Sequence, residues 1–329
     1  MTTPGQPSPQ SMRYALSEVL SGALYAVMVQ IYDELRHAPE EEAAPQAKVA
    51  VKAEFQQWAR SADPSARQFR EGRRQGASSG RALFIASERF KRTVLRTLDY
   101  LPPGEASFAD FGRALLASDQ ASHPDSTDQR EWLRREFVQR GIVKRTAELD
   151  VKTNFDDADV ARLDLDELVQ SDWLAYQFAN KNRSLLGIPK QIPFEVRPRL
   201  DVTKKYYHRG DEPDSVRECL LKVSWSEVEP NNVGGGLPAN RRIARGSTLA
   251  IDWNSKKVRA IVIGGQDPSL SHSRDAFLTH LLRHDAIRVG AGARGPNGEM
   301  LRGIVEGEVV QDVLRMRATA RALHVLEEY

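Results

Sequence analysis

The sequence predicts an α+β protein: an N-terminal α-helical bundle followed by a smaller α+β module with an antiparallel hairpin. Three observations predict it. Apolar residues recur at helical spacing through most of the first 145 positions. After position 194, short alternating runs rich in valine and isoleucine take over. Two such runs flank Asn254-Ser255-Lys256, the pattern of strands joined by a tight turn. A length of 329 residues leaves room for two cores. The organisation expected is a disordered tail over 1–11, a helical subdomain over 12–145, a helical connector over 146–190 and an α+β module over 191–329.

In the first half, Leu16, Val19, Leu20, Ala23, Leu24, Val27 and Ile31 place a broad apolar face on a helix over 12–36. Residues 38–46 read as a loop, 47–62 as a weaker helix with Val49, Val51, Phe55 and Trp58, and 63–79 as a loop. A helix starting near Ser79 carries Phe90, Val94, Leu95 and Leu98 until Pro102 and Pro103 stop it and Gly104 turns the chain. Ser107 is the N-cap of the next helix, with Phe108, Phe111, Ala114, Leu115 and Leu116. A further helix starts at 125–128, points Trp132, Leu133 and Phe137 inward and ends at Gly141. The expected core of this half is Leu20, Leu24, Val27, Phe84, Leu95, Leu98, Phe111, Leu115, Trp132, Leu133 and Phe137.

In the second half, the acidic word from Asp164 to Leu168 lacks the glycine and the spacing of a calcium loop. It reads as a helix start, where carboxylates favour the dipole. A helix through Trp173, Tyr176 and Phe178 ends near Gly187, before Pro189. Strands follow at Phe194 to Arg197 and at Cys219 to Val228. The glycine-rich loop at 230–236 has no lysine and opens no helix, so it is not a phosphate cradle. The hairpin pairs 247–253 with 257–263. Residues 275–284 form a short helix and 290–298 a loop. For 309–326, periodicity leaves two readings open: a basic amphipathic helix, or a strand followed by a helix.

Composition bounds the function. Net charge is +2, 40% of residues are hydrophobic and 28% charged, ordinary values for a soluble protein that give no electrostatic case for a nucleic-acid partner. The basic stretch 67–81 has Phe69 as its single aromatic, so it reads as a solvated loop. One cysteine, Cys219, excludes an intramolecular disulfide and fits a reducing cytoplasm. Its strand-like setting points to a buried structural thiol. The first twelve residues lack the basic and apolar regions of a secretory signal, and the apolar run 19–31 is too short to span a bilayer. The expectation is a cytoplasmic protein with no membrane partner.

The word Leu98-Asp99-Tyr100-Leu101-Pro102, the run from Phe108 to Asp119 and the run from Phe137 to Ile142 occur in this order. Together with the helix over 13–32 they resemble the C-terminal helical subdomain of thermolysin-like (gluzincin) zinc metallopeptidases, over roughly 12–143. The resemblance places Tyr14 at the position of the family's transition-state histidine. Ser17 and Glu18 follow it, and Ala23 and Tyr25 continue the match. Tyr14 is therefore the candidate catalytic position, since a phenol can donate to an oxyanion.

The metal half of such an enzyme is missing: no HExxH word occurs in the chain. That word puts two imidazoles on one helix face with a glutamate that activates the zinc-bound water. The nearest match, His280-Leu281-Leu282-Arg283-His284, has leucine at the base position and lies downstream. With His272 these are the only clustered histidines, and no metal or cofactor is expected. The reading is a non-catalytic, thermolysin-like remnant acting as a scaffold or interaction module. The alternative is one part of a split or truncated zinc metallopeptidase whose HExxH helix is supplied elsewhere, and a third is an unrelated helical protein. The broad apolar surface over 19–31, enlarged by Tyr14, Tyr25 and Met28, suggests a homodimer or protein partner at the 14–32 helix face.

Overall fold

The helical half is built around two long helices. A computed structural model describes residues 9–37, 77–122, 127–151, 160–206, 214–234, 237–266, 270–283, 287–289 and 305–318. In it, α1 (Pro9–His37) lies against α2 (Ala77–Tyr100) and α4 (Thr127–Gln139), and α3 (Phe108–Ser122) lies against α2. Their shared core holds Ala23, Leu24, Val27, Ile31, Leu115, Leu133 and Phe137. Each large side chain buried there contributes about 1.5–3 kcal/mol. Leu20, Phe111 and Trp132 pack at its rim, partly buried. The weaker helix expected over 47–62 lies outside the described residues.

Two core assignments on α2 are corrected. Leu95 and Leu98 are 57% and 54% exposed. The inward face runs instead through Ala86, Phe90 and Val94 to the buried Thr97. One residue turns a helix by about 100°, so Leu95 cannot share a face with Val94. Thr97 and Tyr100 take the last turn because that end of α2 faces the sheet rather than α1.

The boundaries follow local chemistry. At the start of α3, Ser107 Oγ accepts from the Asp110 N–H at 3.1 Å, and Asp110 Oδ2 accepts from the Ser107 N–H at 2.9 Å, a reciprocal cap. At the end of α4, Gly141 has φ +68°. Its N–H bonds the Val138 carbonyl, and Ile142 N–H bonds that of Phe137, at 3.0 and 2.9 Å.

Three short helices follow, α5 (Leu165–Gln170), α6 (Asp172–Lys181) and α7 (Arg183–Leu186). Then come β1 (Phe194–Tyr206), β2 (Asp214–Pro230), β3 (Asn240–Asp252), β4 (Val258–Ile263), α8 (Leu270–Arg283), β5 (Ile287–Val289), β6 (Val305–Val310) and β7 (Val313–Ala318). Among the described residues the strands form one seven-stranded sheet in the order β1-β2-β3-β7-β6-β5, with β4 also paired to β3. Strands β1 to β4 are antiparallel neighbours. One edge of β3 is shared: its start pairs in parallel with β7 from Asn240 and Val313, and its end pairs with β4.

Both faces of the central strands are covered. Cys219, Leu221 and Val223 point toward α5–α7, where they meet Leu165, Leu168, Ala175 and Phe178. Leu220, Ala250, Ala260 and Val262 point the other way, against Tyr100, Ala114, Ala117 and Ala121. Alternation by two along β2 therefore serves two cores at once, and its central run is apolar nearly throughout. The three alanines let α3 lie close on the sheet. The segment read as a connector supplies the helices of the first of these cores.

Of the two readings for 309–326, a helix from the start is excluded and a strand at the start agrees with the described residues. Residues 305–318 form an antiparallel hairpin, turning at Gln311 and Asp312 with φ of 52° and 59°. Positive φ at both turn residues matches the twist of the flanking strands. The inner face of α1 over the described side chains, 18–32, is also covered from within: Ala23, Leu24, Val27 and Ile31 are buried among the side chains of α2, α3 and α4. Tyr25 is 61% exposed on the outer side. Among the described residues no helix is long and apolar enough to cross a membrane.

Candidate functional site

A cluster of buried polar side chains lies where the end of α2 meets β2, β3 and β4. Tyr100 and Glu218 are both fully buried, and the tyrosine Oη donates to Glu218 Oε1 at 2.8 Å. Burial pushes the Tyr100 phenol well above its usual range, and the Glu218 charge adds to this. The phenol is thus a fixed donor rather than an acid–base group. On β4, Arg259 Nε stands 3.5 Å from Glu218 Oε1 and donates to Asp252 Oδ2 at 3.1 Å. On the same side of β2, Lys222 Nζ donates to the carbonyls of Leu98 and Leu101 at 3.0 and 2.9 Å. A cation there satisfies orphan carbonyls at a helix C-terminus and complements its dipole.

Asp252 shows how such groups are tuned. Burial pushes its carboxyl up, but the Ser255 N–H at 2.6 Å and the Arg259 guanidinium outweigh this and hold it below the usual carboxylate range. A carboxyl lowered on folding adds stability above its unfolded value of about 3.9, and that stability is lost as the pH falls through the lower folded value. Arg259→Ala is therefore expected to cost about 1–3 kcal/mol near neutral pH. The gap from the parent should narrow below about pH 4. Urea unfolding across this range measures it, and an equal gap in acid and at neutrality would show that Arg259 does not hold Asp252.

Two further polar clusters tie loops to this junction. Asp110, fully buried at the start of α3, accepts from Ser107 Oγ at 2.8 Å and from the Gly265 N–H at 3.2 Å, and pairs with Arg113. Arg241, on β3, is fully buried between Glu229 at 2.7 Å and Asp275 at 2.8 Å. It also donates to the Ser271 carbonyl at 2.9 Å, which fixes the start of α8 across the sheet. Arg274 extends this set to Glu229 and Glu105. In all three clusters the carboxylates face arginine or hydroxyl donors already in place, an arrangement that holds elements together.

The residues singled out by sequence fall elsewhere. Tyr14 belongs to α1 by its backbone, and its side chain lies outside the described residues, as does all of His284. His272 and His280 sit on α8. Among the described residues no group of three or more His, Cys, Asp or Glu side chains could hold a metal ion. Cys219 is fully buried and burial pushes its thiol up to about 12, so it stays protonated and unreactive. The sequence reading missed Glu218, Arg259, Asp110 and Arg241. The available signal was a charge inside an apolar strand: Glu218 and Lys222 interrupt the run from Val216 to Trp225.

A different kind of site opens at the other end of the sheet. Between α6 and the start of β1 lies an open cleft of about 610 Å³, lined by Trp173, Tyr176, Phe194, Glu195 and Arg197 among others. No known protein family, curated protein or solved structure matches this chain.

Proposed function

We propose that the chain is a non-catalytic scaffold or interaction module whose helical half is related to the C-terminal subdomain of thermolysin-like zinc metallopeptidases. The observation that carries this reading is the use made of Tyr100. It stands in the word that carries the resemblance, and its hydroxyl is committed to Glu218 of the sheet. Zinc hydrolysis would need three protein ligands and a water-activating carboxylate, and the chain has no HExxH word. In this reading Tyr14 holds the place of the family histidine without a zinc-bound substrate to serve. A second copy or partner protein docks on the outer side of α1, at Tyr25, since the inner side is occupied.

Metal analysis of the full chain, with a casein-cleavage assay in the presence of added zinc, tests the reading. Substoichiometric zinc and no cleavage are expected. One zinc per chain, lost together with cleavage in the His280→Ala/His284→Ala variant, would overturn it and favour a zinc peptidase. Sedimentation of the same material as a strict monomer at micromolar concentration would remove self-association through Tyr25.

A further inference from the structure

The cleft beside α6 presents an ordered aromatic column. Trp173 and Tyr176 lie three residues apart, so they share one helix face, while Ala175, Phe178 and Ala179 take the buried face. The Trp173 and Tyr176 rings stack with centroids 6.4 Å apart and planes at 16°. Tyr176 stacks on Phe194 of β1 at 4.6 Å and 6°. Below Phe194, the Arg183 guanidinium closes the column at 4.7 Å. The column is anchored at its buried end and open at the other: Phe194 is 7% exposed, Tyr176 38% and Trp173 65%. Exposed, pre-stacked rings of this kind form a flat apolar platform whose geometry is fixed before any ligand arrives.

The charges around the platform decide what fits it. Arg197 and Arg199 both bind Asp172, at 2.7 and 2.6 Å. Arg183 is held by the carbonyls of Pro189 and Ile192 at 2.7 and 3.0 Å. The nearby guanidinium groups are thus engaged, which disfavours a phosphate-bearing ring. A cationic ligand is disfavoured as well: parallel rings offer one outer face rather than an enclosing cage. An extended peptide pairing with the edge of β1 is disfavoured by the irregularity between Val196 and Arg199. Pro198 there has no N–H to offer, and Arg199 occupies the Val196 carbonyl at 3.3 Å. What remains is an uncharged ring with an apolar face and a polar edge. Among the described residues, the Trp173 indole N–H, the Tyr176 hydroxyl and the Glu195 carboxylate have no hydrogen-bond partner, so they are available to such an edge.

We infer that this cleft binds a neutral saccharide, with one sugar ring stacked on the outer face of Trp173 and its hydroxyls bonded to Glu195 and the neighbouring polar groups. The volume lies within the range of about 300–1,000 Å³ common for ligand sites.

Isothermal titration of the full chain tests this with N-acetylchitotriose, cellotetraose, maltotetraose and xylotetraose, and with AMP and tetramethylammonium as charged comparators. At least one sugar should bind, and Trp173→Ala should weaken it about tenfold or more. Glu195→Gln should weaken it several-fold. Both side chains are exposed, so circular dichroism should show the fold unchanged. Failure of all four sugars to bind at about 10 mM, or equal binding by the Trp173→Ala variant, would overturn the inference. So would binding of AMP or tetramethylammonium, lost in that variant, when no sugar binds.

Discussion

Gly246→Ala is expected to cost roughly 3–5 kcal/mol, a large effect for adding one methyl group. Gly246 lies in β3 at the point where the Pro102-Pro103 corner between α2 and α3 rests on the sheet. A Cβ there would stand 2.6 Å from the Val223 carbonyl oxygen and 2.7 Å from Pro103 Cγ, and closer still to the Pro103 carbonyl oxygen. Two of these atoms are backbone and the third is a proline ring, so no flexible side chain can swing away. The corner is also pinned on both sides: Glu105 N–H bonds the Ala244 carbonyl at 3.0 Å, and Thr248 Oγ1 donates to the Leu101 carbonyl at 3.2 Å. Relief would require the helical half to lift from the sheet and expose Ala114, Ala117 and Leu220. Gly141→Ala provides the contrast. Among the described residues nothing lies within 4 Å of where an added Cβ would stand, and φ there is +68°, so the variant should lose only about 1–2 kcal/mol to backbone strain. Urea unfolding of both variants measures this. A Gly246→Ala protein within about 0.5 kcal/mol of the parent would mean that the corner does not rest where the structure places it.

Local chemistry was legible in the sequence, and long-range pairing was not. The β3–β4 hairpin was visible because alternation flanks a three-residue turn, and the ends of α2 and α4 were visible because proline and glycine mark them. Which leucines of α2 face inward was not visible. Val94, Leu95 and Leu98 all fit a loose helical stripe, and only the position of α1 and the sheet selects among them. The parallel pairing of Asn240 with Val313 leaves no local trace, because the two segments are far apart in the chain. The β6–β7 hairpin was hidden for another reason. Its turn is Gln311-Asp312, without the glycine that usually accompanies positive φ.

The candidate sites divide in the same way. Glu218 and Lys222 are charges inside an apolar strand, a signal that demands partners and that the sequence reading passed over. Those partners could not be named, since Tyr100 lies 118 positions away and Leu98 124. The helix through Trp173, Tyr176 and Phe178 was legible, but not which of its faces would be open. That depended on Ala175, Phe178 and Ala179 being taken into the core under the sheet.

Tyr100→Ala is expected to cost roughly 3–5 kcal/mol, and the loss has two separable parts. The ring is fully buried among Ala114, Ala117, Ala121, Leu220 and Ala260. Alanines cannot extend into the space a lost ring leaves, and Lys222 and the Pro102-Pro103 corner hold α2 at its distance from the sheet, so the cavity should persist. The hydroxyl adds the second part, because Glu218 Oε1 would lose a donor in a place water does not reach. Tyr100→Phe keeps the ring and removes only that donor, and should cost about 1–3 kcal/mol. Combining Tyr100→Phe with Glu218→Gln tests the bond directly. If the two groups are coupled, the double variant should be less damaged than the sum of the single ones. Chemical unfolding of the four proteins gives the comparison. Strict additivity would show that the Tyr100–Glu218 bond does not hold the helical half to the sheet. A Tyr100→Ala cost below about 1 kcal/mol would show that the junction is not part of the cooperative core.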